Sequence, residues 1–331
     1  MAEHTGSWTR QHIDRRRRNL LSSAVGGVTR FAIVSRRRTP FRQHCSTPSP
    51  RTSRYCSHRP VPSTSPSCPG RLSWPAIGRL DLLCCGFDVL THVPSAGGNL
   101  SLALLQTLLE LRRQNLKIHW LGEDREIPLP AGVAVNSPWM DITLSSPSYE
   151  SNVPYDYIPA PKNGMELNNR PACAAWPAVP PRRLVYADDD LVLHPLVTLL
   201  TAPSWAGAPP VYMCTGWELL ADEDKYVASK MHQDGVTVVF EEYEAMPHCF
   251  AMLFNHLKNS RRCFGGWAGF IRRAVEKPEA VASSFVTVKA RTLKEEPIDV
   301  QELSPCTEDE MRERLFQKWA EATSTTIFAK L

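Results

Sequence analysis

From about residue 80 this chain alternates short apolar runs with longer amphipathic ones. No other feature limits its fold as strongly. Residues 81–90 (DLLCCGFDVL), 132–136 (GVAVN), 211–214 (VYMC) and 235–240 (GVTVVF) read as strands, because they are short and rich in apolar or β-branched side chains. Residues 96–114, 222–233, about 248–259 and 307–322 read as helices. In the first of these, Leu100, Leu104, Leu108 and Leu111 recur at helical spacing, and Arg112 and Arg113 fall in the last turn, where cations suit the dipole. Strands alternating with helices predict an α/β fold, a mostly parallel sheet with helices on its faces. Residues 142–186 are rich in Pro, Tyr and Asn and read as a long loop or partial lid that could shape a pocket; Tyr155, Tyr157 and Trp176 could line that pocket or simply pack, and packing is the favoured reading. The acidic run Asp188–Asp190 reads as a solvated loop, since three consecutive acids do not converge on one ion.

The alternation does not reach back to the start. Residues 1–80 hold fifteen Arg, no Lys and only two acids, Glu3 and Asp14; the rest holds 23 basic and 32 acidic residues. The net charge of +4 therefore averages two unlike parts, 1–80 and 81–331. The first part is dense in Arg, Pro and Ser, most of all over 35–72, and cannot bury enough apolar surface to offset its chain entropy. It reads as disordered. A transit peptide, a basic tail for nucleic acid or anionic membrane, and translated noncoding sequence are its other readings. The second part has the composition of an ordinary domain with no nucleic-acid partner. No apolar run approaches the roughly 18 residues of a membrane span. Ten cysteines show neither a C-x-x-C pair nor zinc-type spacing, so no metal or cofactor is expected, and free thiols are favoured over a disulfide frame.

Ser95 lies between a strand and a helix, in Pro94-Ser95-Ala96-Gly97-Gly98-Asn99. A tight turn there would push Oγ out over the sheet toward a base, and the small residues after it would let the helix start close to the strand. The Ala96 N–H and the positive helix end would then face a developing oxyanion. The plain alternative is a serine that simply caps the helix.

Further motifs weigh against the plain alternative. Ser95-Ala96-Gly97-Gly98-Asn99-Leu100 resembles the G-D-S-A-G-G-N-L elbow of the hormone-sensitive-lipase-like α/β-hydrolases. Asn136-Ser137-Pro138-Trp139-Met140-Asp141 resembles the S-P-W-x-D segment of fungal members. Glu218-Leu219-Leu220-Ala221-Asp222-Glu223 is similar to the segment whose first acid belongs to the triad, and Met246-Pro247-His248-Cys249-Phe250 to the one holding the triad histidine. The resemblance covers about residues 85–260. It implies an α/β-hydrolase fold with Ser95 as nucleophile, Glu218 as acid, His248 as base and Ala96 in the oxyanion hole. Asp222 then reads as a helix cap, and Glu223 as part of the first turn.

The chain departs from the family pattern before Ser95. Val93 and Pro94 replace the elbow Gly and Asp, and no H-G-G-G-type donor loop precedes them; the upstream pair Gly26-Gly27 lacks a histidine. The N-terminal part of the sheet is thus expected to be missing or replaced. The chain ends Ala329-Lys330-Leu331, which resembles a peroxisomal address read by an import receptor, with the cytoplasm as the alternative location. Together these imply a serine hydrolase of a small acyl ester or thioester in a fungal secondary-metabolite (toxin) pathway. The alternative is a degenerate relative that binds without catalysis.

Overall fold

A computed structural model describes residues 90–120, 122–160, 184 and 187–328. Six of its strands form one sheet, in the order β1-β4-β5-β6-β7-β8. They are β1 (Leu90–Ser95), β4 (Val133–Pro138), β5 (Val211–Gly216), β6 (Val238–Tyr243), β7 (Ser284–Val288) and β8 (Glu295–Pro297). All pairs are parallel except β7–β8. A separate antiparallel pair joins β2 (Ile118–Trp120) to β3 (Glu123–Arg125). The expected α/β class, with its mostly parallel sheet, is therefore present. The strand placed at 81–90 instead runs from Leu90 to Ser95 and so ends on the serine itself. Residues 81–89, the Arg-rich segment 1–80 with Gly26-Gly27, Trp176 and the terminal tripeptide lie outside the described residues.

Helices cover both faces of the sheet. They are α1 (Ala96–Arg113), α2 (Ser148–Ser151), α3 (Ala221–Gln233), α4 (Phe250–Leu253), α5 (Lys258–Glu276) and α6 (Glu308–Phe328). Alternate strand residues point to opposite faces. Val133, Val135, Val211, Met213, Val238 and Phe240 join Leu102, Leu105 and Leu109 of α1 and Val227 and Met231 of α3. Their neighbours Ala134, Tyr212, Cys214 and Val239 meet Cys263, Trp267 and Phe270 of α5. Burial on both faces explains why these strands read as continuous apolar runs.

Several expected details differ. Of the leucines at helical spacing, Leu108 and Leu111 are buried, Leu104 is half-buried and Leu100 is 63% exposed; Leu102, Leu105 and Leu109 are buried beside them. The helix expected over 248–259 is broken into α4 and the start of α5. Asp222 does not cap α3: the Ser148 hydroxyl accepts its N–H at 3.2 Å and donates to the Leu219 carbonyl at 2.6 Å. A tertiary contact thus replaces the local cap. The described cysteines, Cys214, Cys249, Cys263 and Cys306, are free and buried.

Candidate active site

Parallel strands bring their carboxyl ends to one edge of the sheet, where ligands bind in open α/β folds. Ser95 ends β1, Glu218 follows β5, and His248 follows β6. Ser95 has φ 59° and ψ −123°, a backbone conformation that costs a non-glycine residue about 1–3 kcal/mol. Its side chain makes no capping hydrogen bond to α1, so the plain reading as a helix cap fails. Its carbonyl accepts the Trp139 N–H at 3.1 Å, which ties the turn to the end of β4. The β1–β4 register shifts on both sides of Pro94, a residue with no N–H to give the ladder. Ala96 is the first residue of α1, where helical N–H groups have no partner within the helix.

Glu218 and His248 are buried and bonded. His248 Nδ1 lies 3.2 Å from Glu218 Oε1. The other carboxylate oxygen, Oε2, accepts the Ser137 hydroxyl at 2.8 Å, and Ser137 Oγ in turn accepts the Cys249 N–H at 3.2 Å. Burial opposes the charged imidazolium. Hydrogen bonds to Cys249 and Glu218, with the Glu218 charge, outweigh it and raise the His248 pKa to about 10. Among the described residues no hydrogen bond joins Ser95 Oγ to His248. The geometry thus assembles the acid–histidine pair and places the serine on the neighbouring turn without closing the last contact.

Asp156 fixes the two loops relative to each other. Its Oδ2 accepts the Leu219 N–H at 2.8 Å, and its Oδ1 accepts the His248 N–H at 3.4 Å. Gly216 meets a steric need at the same junction, since a Cβ there would fall 2.0 Å from the Met246 carbonyl oxygen. Tyr155 and Tyr157, for which packing is the favoured reading over lining a pocket, are not packed into a core. They are 44% and 56% exposed; Tyr155 meets Trp217 edge-on at 5.2 Å, and the Tyr157 ring is centred 6.3 Å from that of His248. Glu223 lies in the first turn of α3, as expected, but it is fully buried there and accepts the Met140 N–H at 2.7 Å. Its neighbour Asp224 is also fully buried. Burial raises the Asp224 pKa well above the usual carboxyl range, and the Glu218 charge adds to the effect. The sequence signalled Ser137 only through its motif, and nothing local signalled Asp156 or Asp224. Among the described residues no group of three or more His, Cys, Asp or Glu could hold a metal ion.

Residues 94–252 match the model of a family described as alpha/beta hydrolase fold. No curated protein matches the chain. Among solved structures it is similar to an esterase/lipase from an uncultured bacterium, with 24% identity and a TM-score of 0.39 over 55% of this chain and 51% of that one. An esterase of the bacterial hormone-sensitive lipase family gives the same values. A hormone-sensitive lipase from a metagenome library has 21% identity and a TM-score of 0.40 over 55% and 52%. The chain spans about half the length of the solved structures it matches.

Proposed function

We propose that this chain is a serine hydrolase that cleaves an ester or thioester of a small acyl substrate. The observation that carries the reading is the buried Glu218–His248 pair beside a positive-φ serine at a strand-to-helix turn. The family match over 94–252 supports it. Ser95 Oγ attacks the carbonyl carbon, and His248 takes its proton. Negative charge develops on the carbonyl oxygen, and the Ala96 N–H donates to it. The bond to the leaving group breaks as His248 returns the proton to that group. A water, deprotonated by His248, then attacks the acyl–serine; the bond to Ser95 Oγ breaks, His248 returns the proton to Oγ, and the acid is freed. Glu218 holds the imidazole in one tautomer throughout.

The test is turnover of p-nitrophenyl butyrate by the full chain and by Ser95→Ala. A triad of this kind loses about 10³-fold or more in kcat when its nucleophile is removed. Equal rates would overturn the reading. They would favour a catalytically degenerate binding protein, whose supporting observation is the absent Ser95–His248 hydrogen bond.

The finer reading places the substrate in a fungal secondary-metabolite (toxin) pathway inside the peroxisome. It is supported by the resemblance of Ser137-Pro138-Trp139-Met140-Asp141 to fungal sequences and by Ala329-Lys330-Leu331. A reporter carrying the last twelve residues should collect in peroxisomes and lose that location without Leu331. Diffuse signal from the intact tail would count against it.

A further inference from the structure

The sheet continues past the family match. Beyond residue 252 the chain adds β7 alongside the histidine-bearing strand β6, and then turns back through β8. The turn between them, 289–294, rises at the edge of the sheet that carries the site. It is firmly built. Glu244 takes the Lys289 ammonium at 2.5 Å and the Ala290 N–H at 2.9 Å. Asn259 Nδ2 donates to the Ala290 carbonyl at 3.2 Å, and the Leu293 N–H closes on the Lys289 carbonyl at 3.0 Å.

Between this turn and the histidine loop lies a groove of about 570 Å³. Trp217, Ala245, Lys289, Arg291, Lys294 and Glu296 are among its walls. Trp217 immediately precedes Glu218, and Ala245 lies three residues before His248, so the groove borders both triad loops. Tyr155 holds one edge of the Trp217 ring. The charges in the wall do not cancel. Glu244 answers Lys289, and Glu296 answers Lys294 at 3.2 Å. Arg291 is exposed and makes no ion pair among the described residues. A guanidinium left open in a hollow whose wall also holds Trp217 suits a planar or tetrahedral anion that it can grip through two N–H groups.

We propose that this groove is a subsite for an anionic group, a phosphate or a carboxylate, on the part of the substrate remote from the carbonyl that Ser95 attacks. The proposal rests on the hydrolase reading. Its test does not require turnover. The Ser95→Ala protein is titrated with inorganic pyrophosphate and, separately, with succinate by isothermal calorimetry. At least one should bind, with affinity that falls as salt is raised. Adding Arg291→Ala should weaken that binding about tenfold or more, whereas adding Arg272→Ala, which removes an exposed arginine of α5 outside the groove, should leave it unchanged. Binding of pyrophosphate alone identifies a phosphate-bearing leaving group or acyl chain, and binding of succinate alone a carboxylate-bearing one. If neither anion binds, or if Arg291→Ala and Arg272→Ala weaken binding equally, the subsite does not exist.

Discussion

His248 is buried and yet favours its charged form, because Cys249 and Glu218 hold the imidazolium more strongly than burial opposes it. In the proposed mechanism His248 must be neutral to take the Ser95 proton. With a pKa near 10, the imidazole is mostly protonated at neutral pH, so kcat/KM should keep rising with pH well above the ordinary imidazole range. The measurement is a pH–rate profile on a p-nitrophenyl ester, corrected with Ser95→Ala. In Glu218→Gln the carboxylate is gone, and the acidic limb should move down toward about 6.5; a wild-type profile already level at pH 7 would contradict this account. The three residues of the proposed triad could be nominated from the sequence because each sits in a motif with its own residue pattern. Ser137 and Asp156, which hold the acid and the histidine loop, were not legible as supports. Their partners lie 81 and 63 residues away in sequence, and a hydroxyl or carboxylate in a loop has many local uses.

Strands and helices differ in how far they could be located from sequence. β4, β5 and β6 were legible because burial on both faces demands unbroken apolar runs. β7 and β8 were not, since Ser284–Val288 is partly exposed and Glu295–Pro297 is short and charged. α6 was found close to its true start for a local reason. The Thr307 N–H donates to Glu310 Oε2 at 2.8 Å, and the Glu310 N–H returns a bond to Thr307 Oγ1 at 3.3 Å. This reciprocal capping box is written in the sequence as T-E-D-E. α3 lacks such a signal because its cap comes from Ser148, on a different element. The buried stripe of α1 was only partly legible, with Leu108 and Leu111 buried and Leu100 exposed, for a related reason. The helix is leucine-rich around much of its circumference, and only the position of the sheet selects Leu102, Leu105 and Leu109 over Leu100.

For the whole molecule, the acids at the start of α3 link the site to stability. Asp224 is buried against Glu218, His248 and Lys225, and its folded-state pKa is raised. Its sign is the reverse of an ion-paired acid. As pH rises past the unfolded carboxyl range, the unfolded chain loses this proton while the folded chain keeps it, so folding weakens by up to about 1.4 kcal/mol per pH unit. Asparagine cannot titrate. The stability of Asp224→Asn minus that of wild type, measured by urea unfolding at several values between pH 5 and 7, should therefore grow with pH, and a constant difference would show Asp224 ionised in the fold. By itself the sequence determined the α/β class and the mostly parallel sheet, and it nominated Ser95, Glu218 and His248 for the proposed triad, since periodicity and short motifs are local properties of a chain. Tertiary structure alone decided which acids are buried, which serine caps α3, how Asp156 ties two loops together, and that the β7–β8 turn brings Arg291 into one groove with Trp217. Each of these is a contact between segments far apart in sequence, and burial and electrostatics exist only once those contacts have formed.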